Sequence, residues 1–318
     1  MARSNDTLTA VRGLRVGQVE TPDGSSGVTA VLFDAPAPTV VDVRGGASAS
    51  YDTASLALDA TFGRRWAVFF SGGSLYGLDA ARGIRTRILE TGGGQRAFQN
   101  PNPVVQISGA ALFDLPTEAG SVPDYLPLGY EAARRASRAP VAFGRVGAGA
   151  GATVGKYRGR AFAMRGGVGS AAAGERGIGH LGVLVVVNAV GAVRDPATGI
   201  WTAGARGARG GITSPDAPRS GRDRTTGTTL AIVVTDLSVD RPTLSRIGSM
   251  AHAGLSSAIR PFHGSTDGDV LFAAATGRTT GRRAETRPGE LADRLGLRAS
   301  ALAVQAVLRA VRVGNRAR

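Results

Sequence analysis

Five side chains, far apart in sequence, could share one reaction. The stretch Thr225-Thr226-Gly227-Thr228-Thr229-Leu230-Ala231-Ile232-Val233-Val234-Thr235-Asp236 passes from a polar loop straight into a β-branched apolar run. The run reads as a buried strand. Thr228 therefore stands where a yielding segment meets a rigid one, with Gly227 before it. A self-cleaving hydrolase needs that arrangement: backbone free to strain ahead of an anchored hydroxyl nucleophile. The plainer reading is a loop entering a strand whose threonines serve β propensity. Lys156 is the only lysine in a chain whose other basic residues are arginines. Lysine differs from arginine in a compact ammonium whose pKa drops on burial, so Lys156 is a candidate for titratable chemistry. Asn188 interrupts the apolar run from Leu181 to Val193. An unsatisfied buried amide costs on the order of 1–3 kcal/mol, so Asn188 is either bonded in a bulge or aimed into a cleft. Asp267 and Asp269 flank Gly268 and form either a turn or an acidic pair. Nucleophile, base, oxyanion donor and orienting acid would then all be present.

Elements must bring these together, and the patterning supplies them. Short strands are expected at Val28–Phe33, Thr39–Arg44 and Trp66–Phe70, with a helix between Tyr51 and Phe62. Ser71-Gly72-Gly73-Ser74 is expected to open a helix buried through Leu75, Leu78, Ala81, Ile84 and Ile88. That turn has no nucleotide-binding lysine. Val104 to Leu115 reads as a strand pair or one bent strand, and Tyr130 to Ala139 as a helix. Gly147 to Lys156 alternates glycines, which suit a tight backbone delivering Lys156 to a site rather than a helix. Met164 to Ser170 reads as a second glycine-rich turn. His180 to Arg194 is the central strand candidate. Asp195 to Thr226 has no periodicity, and a loop that long is usually functional. A helix follows Asp240-Arg241-Pro242 and ends at Pro261. Val270 to Thr276 is a strand, and Pro288 to Val313 a terminal helix.

Composition narrows the classes. The chain has 318 residues, 42% hydrophobic, with 47 glycines and no cysteine. Disulfides and thiolate chemistry are excluded, and His180, His252 and His263 have no metal-ligand spacing. Neither a metal nor another cofactor is expected. The formal charge of +14 would suit nucleic acid. Yet the arginines are scattered, and Arg206-Gly207-Ala208-Arg209-Gly210-Gly211 is one short solvated piece. No nucleic-acid or membrane partner is expected. The start lacks a secretory pattern and no run spans a bilayer, so the expectation is a soluble cytoplasmic protein.

Several collinear segments carry a resemblance. They are Leu14-Arg15-Val16-Gly17, Val41-Asp42-Val43-Arg44-Gly45-Gly46, Gly72-Gly73-Ser74-Leu75-Tyr76-Gly77-Leu78, Gly149 through Lys156, and Gly166-Gly167-Val168-Gly169-Ser170. Further on come Val187-Asn188-Ala189-Val190-Gly191, Thr228-Thr229-Leu230, Gly254 through Pro261, and Asp267-Gly268-Asp269 with Leu271-Phe272. In order and spacing the chain resembles the self-processing amidohydrolases that include the L-aminopeptidase/D-amidase-esterases, the β-peptidyl aminopeptidases and the nylon-oligomer hydrolases. The resemblance implies an αββα four-layer sandwich of the α/β class, one catalytic domain over 1–318, and a homo-oligomer, often a tetramer. It also implies self-cleavage between Gly227 and Thr228 into chains 1–227 and 228–318, with Thr228 as the new N-terminal nucleophile. Lys156 and Asn188 match family active-site positions. Asp267 and Asp269 match the acidic pair of the nylon-hydrolase branch. Two positions depart from it: Gly227 replaces the Asn of many relatives, and Phe113 lies where a nylon-hydrolase relative has tyrosine.

A threonine hydroxyl needs a base. After cleavage the α-amine of Thr228 is nearest, with an ordinary pKa near neutrality. Before cleavage that nitrogen is an amide, leaving Lys156 and the Asp267/Asp269 pair as candidates. The Asn188 NH2 is the expected oxyanion donor, worth roughly 2.7–4 kcal/mol in the transition state. Two substrates fit an acyl-enzyme on Thr228: linear aliphatic oligoamides cut internally, or short and β-peptides cut by an aminopeptidase whose Asp267 or Asp269 holds the substrate ammonium. The non-enzyme alternative is a basic RNA-binding or scaffold protein that keeps the fold and stays uncut.

Overall fold

The computed structural model describes residues 5–96, 99–115, 122–175, 179–207, 210–216, 225–279 and 288–316. Nine strands are hydrogen-bonded together, eight of them along one continuous path: β1 (Leu14–Glu20), β2 (Gly27–Val43), β3 (Ala49–Tyr51), β4 (Arg64–Ser71), β5 (Ile107–Ala111), β6 (Gly167–Glu175), β7 (Gly179–Asn188), β8 (Thr228–Leu237) and β9 (Val270–Thr279). Their order is β3-β5-β4-β2-β9-β8-β7-β6, with β1 also on β2. The long β2 divides the path in two. Its first half pairs with β1 and β4. Its second half, Thr39 to Val43, pairs with β9. One strand thus serves two sheets, which stack face to face.

Side-chain alternation shows why the strands read as unbroken apolar runs. Along β8, Leu230, Ile232 and Val234 face the first sheet, packing in one cluster with Val31, Phe33, Val68 and Phe70. Ala231, Val233 and Leu237 face the other way, onto α3 (Arg241–Ala258) and α4 (Pro288–Gly314). The first sheet is covered on its outer face by α1 (Ala80–Glu90) and α2 (Tyr125–Arg135) through Ala80, Ile84, Tyr125 and Ala132. Three cores separate four layers, giving the αββα sandwich that the resemblance implies. A strand buried on both faces has no polar alternation. Each fully buried Val, Leu or Ile contributes on the order of 1.5–3 kcal/mol relative to exposure.

Several elements differ from expectation, each for a local reason. Tyr51 to Phe62 is not helical. Tyr51 pairs with Gly109 in the sheet, Asp52 has a left-handed φ of 48°, and the Asp52 carboxylate and carbonyl receive the fully buried Arg65. After β4 the chain runs through a 3-10 segment, Ser74–Asp79, before α1, and Leu75 is exposed rather than buried. Left-handed Gly73 and Ser74 (φ 78° and 55°) turn the chain there and delay the helix. The helix expected at Tyr130–Ala139 begins earlier, because Asp124 caps it by accepting from Leu126 N. The expected turn at Met164–Ser170 is mostly strand β6. Its Gly169 is there for close packing: a Cβ would lie 1.9 Å from the Ala306 carbonyl of α4. The expected strand His180–Arg194 ends at Asn188, and Ala192–Arg194 joins a separate three-stranded sheet with Trp201–Ala203 and Ile259–Arg260. Part of the Arg/Gly segment (208–209) and of the loop before Thr228 (217–224) lies outside the described residues. Among the described residues, no helix is long and apolar enough to cross a membrane.

Candidate active site

β7 and β8 pair so that Asn188, the last residue of one, lies directly opposite Thr228, the first of the other. Both have the parity of the residues facing the first sheet, so they stand at the end of the gap between the sheets. β9 lies parallel to β8 on its other side, and Asp269 precedes it by one residue. Phe113 and Asp114 follow β5. Strand ends from both sheets therefore converge at one edge of the sandwich.

Thr228 is buried, and its Oγ1 donates to the carbonyl oxygen of Gly227 at 2.5 Å. The same oxygen accepts from Gly268 N at 2.9 Å. Gly227 also forms a bridge with Asp267, and its own N–H reaches the Thr266 carbonyl at 3.3 Å. The Gly227–Thr228 peptide is thus clamped along the Thr266–Gly268 turn, with a hydroxyl and an amide hydrogen both on its carbonyl oxygen.

Lys156 follows Gly155, whose φ of 78° and proximity to the backbone of Gly204, 2.0 Å from where a Cβ would sit, admit only glycine. The lysine is buried, and Nζ donates to Asn188 O (2.7 Å), Asn188 Oδ1 (2.8 Å) and Thr153 O (3.2 Å). Burial lowers its pKa to about 7, against the opposing pull of the Asp267 carboxylate. Asn188 is hydrogen-bonded through both its amide oxygen and its amide nitrogen without a bulge. Its Oδ1 also accepts from Thr153 N (3.0 Å), and its Nδ2 donates to Phe113 O (3.1 Å). The hydrogens on the Gly227 carbonyl thus come from Thr228 Oγ1 and Gly268 N, while the Asn188 NH2 is turned toward Phe113.

The two aspartates hold different posts. Asp269 is buried, with Oδ1 accepting from Thr229 N (2.6 Å) and Oδ2 from His263 N (3.1 Å) and His263 Nδ1 (2.9 Å). Asp267 accepts from Gly264 N at Oδ2 (3.0 Å). Its buried Oδ1, near the Val190 amide and the Gly227 backbone, has no well-aligned hydrogen bond among the described residues. Burial, and then the neighbouring Asp269 charge, raise the Asp267 pKa.

All five residues named from sequence lie in this one region. Three participants carried no signal. Gly268 acts through its backbone N–H, which no residue type announces. His263 reaches Asp269 only because the loop folds back, although its six-residue spacing could have prompted the question. Asp114, beside Phe113, accepts from Gly73 N (2.7 Å) and Ser26 Oγ (2.8 Å), and burial raises it to about 6.

The chain is similar to known proteins over most of its length. An uncharacterised aminopeptidase of Mycobacterium tuberculosis is 36% identical over 294 residues, 86% of this chain and 82% of its own. A 6-aminohexanoate-oligomer endohydrolase of a Kocuria species is 29% identical over 306 residues, covering 91% of this chain and 79% of its own. The fold matches the L-aminopeptidase D-Ala-esterase/amidase of Ochrobactrum anthropi, a variant of the Ntn-hydrolase fold, with a TM-score of 0.66 at 19% identity over 96% of this chain and 85% of that one. The sequence model of peptidase family S58 matches residues 6–317. The chain belongs to peptidase family S58 and is a hydrolase of amide or peptide bonds.

Proposed function

We propose that this hydrolase activates itself by cutting Gly227–Thr228 and then works through Thr228 as an N-terminal nucleophile. The observation that carries the reading is the double engagement of the Gly227 carbonyl oxygen by Thr228 Oγ1 and Gly268 N. Attack of Oγ1 on the Gly227 carbonyl carbon, with the hydroxyl proton removed, forms a tetrahedral centre whose oxygen charge builds against the Gly268 N–H. Collapse breaks the C–N bond, returns a proton to the nitrogen and leaves an ester. That step frees the Thr228 amine; water then hydrolyses the ester, releasing the Gly227 carboxylate and regenerating the Thr228 hydroxyl. Lys156 is the base for the first step: it is anchored on the residue opposite Thr228, and near neutral pH it is partly unprotonated. In the cut enzyme the α-amine takes over, and substrate amides pass through the same cycle with an acyl group on Thr228.

The favoured substrate is a linear aliphatic oligoamide cut internally. Asp269 has both oxygens engaged, so it is not a ready anchor for a substrate ammonium. Phe113, partly exposed beside Asn188, adds apolar surface. The second reading, an aminopeptidase on short or β-peptides, is favoured by Asp267, whose buried Oδ1 has no hydrogen bond among the described residues and could take an ammonium. The reading includes a homo-oligomeric assembly.

Intact mass spectrometry tests self-cleavage. Two chains joining at Gly227/Thr228 are expected, with Thr228→Ala remaining one chain of 32.4 kDa. An uncut wild type after long incubation would sink the proposal. Turnover of an end-blocked oligoamide, with a free-amine β-amino-acid anilide left intact, selects the first substrate class; the reverse selects the second.

A further inference from the structure

His263 is built into the loop before β9 in a way that serves only Asp269. Its φ of 59° lies in the left-handed region that non-glycine residues seldom adopt. That conformation lets its main-chain N–H and its ring Nδ1 converge on one atom, Asp269 Oδ2, at 3.1 and 2.9 Å. The carboxylate oxygen can only accept, so Nδ1 carries the hydrogen. Nε2 is buried with no hydrogen bond among the described residues, which leaves Asp269 as the ring's one polar contact. Phe262 lies against one side, ring centroids 3.9 Å apart, and His252 meets it edge-on at 5.0 Å. His252 is itself fixed by a contact from Nε2 to the Asp42 carbonyl at 3.2 Å. The imidazole therefore has little freedom to turn.

Asp269 passes this rigidity on. Its other oxygen holds Thr229 N at 2.6 Å, the first amide beyond the nucleophile. That bond restrains the backbone on the C-terminal side of Thr228. Its importance grows once the Gly227–Thr228 bond is gone, because the nucleophile is then tethered from that side alone. We infer that His263 is a positioning residue for Thr228, acting through Asp269 and the Thr229 amide. The inference rests on the self-cleavage and N-terminal-nucleophile reading above.

The test compares wild type with His263→Gly and His263→Asn, synthesised cell-free. Glycine accepts the left-handed backbone but removes the ring donor. Asparagine accepts that backbone and returns an N–H near the Nδ1 position. The half-time of cutting is followed by intact mass, and kcat and KM of the cut enzymes are measured on the amide that wild type turns over. His263→Gly is expected to lower both the cutting rate and kcat by about 10- to 100-fold with KM within about twofold, the effect of misplacing a nucleophile rather than losing substrate contacts. His263→Asn is expected to recover most of that loss. If His263→Gly does not fold, His263→Ala replaces it, since its side chain donates nothing and adds no charge, and it should be as slow. An uncut wild type would overturn the cleavage reading and this inference together. A wild type that cuts, beside donor-free variants with the same rates or an asparagine variant as slow as glycine, would overturn the positioning role alone.

Discussion

The proposed self-cleavage should depend on pH through the place where Lys156 is held. Its ammonium is buried and its pKa drops from 10.5 to about 7. If the free amine removes the Thr228 proton, the cutting rate follows the unprotonated fraction. That fraction is about one in eleven at pH 6 and about ten in eleven at pH 8, so the rate should rise about tenfold between them and level off above. Chain made by cell-free synthesis, pulse-labelled and chased at pH 5.5 to 8.5, gives the half-time at each pH from band intensities on a denaturing gel. Lys156→Arg keeps a positive charge that does not titrate in this range and should cut slowly at every pH. Asp114, raised to about 6, also titrates in the window; its charge raises the Lys156 pKa, so Asp114→Asn should move the limb to lower pH without abolishing it. Equal wild-type rates at pH 6 and 8, or a Lys156→Arg chain that cuts normally, would refute the assignment. The same depressed pKa has a consequence for stability. Between about 7 and 10.5 the unfolded chain binds the extra proton, so this residue's burial penalty is full below pH 7 and relieved as pH rises.

Two further outcomes follow from close approaches. A Cβ on Gly227 would lie 2.3 Å from Val190 N and 2.5 Å from Asp267 Oδ1, so Gly227→Ala must displace the peptide to be cut. At an overpacking cost of about 1–3 kcal/mol, cutting should slow by roughly 5- to 150-fold, read as a longer half-time; an unchanged one would mean that the peptide's seat does not control the reaction. Gly169→Ala drives a methyl to 1.9 Å from the Ala306 carbonyl and should lift α4 off β6. The expected loss is again about 1–3 kcal/mol, seen as a lower urea midpoint in the cleavage-blocked Thr228→Ala background, where an unchanged midpoint would contradict the packing.

Much of the sandwich was legible because burial on both faces leaves a plain pattern. The runs at Val183–Val187 and Leu230–Val234 could be little but central strands, and the α4 apolar spacing marked a helix with one buried face. Glycine accounts for most of the differences between pattern and structure. At Gly169 its purpose is contact with a helix more than a hundred residues away, so a strand looked like a turn. At Gly73 it turns the chain and delays α1, so Leu75 was placed on a buried face that it does not join. Tyr51–Phe62 has helical composition, but Arg65, inserted from the next strand, claims Asp52.

The site divides along the same line. Residue type alone marked Thr228, Lys156, Asn188, Asp267 and Asp269, because a lone lysine, an amide in a valine run and a hydroxyl at a loop–strand junction are chemically conspicuous wherever they lie. Family resemblance placed them in one enzyme. Only the tertiary structure decided which atom meets which: the Asn188 oxygen toward Lys156 and its NH2 toward Phe113, the Gly268 amide on the Gly227 carbonyl, and His263 behind Asp269. Those pairings depend on strand register and on a loop folding back on itself. Hydrogen bonds require distance and angle, and a sequence encodes neither until the chain is packed.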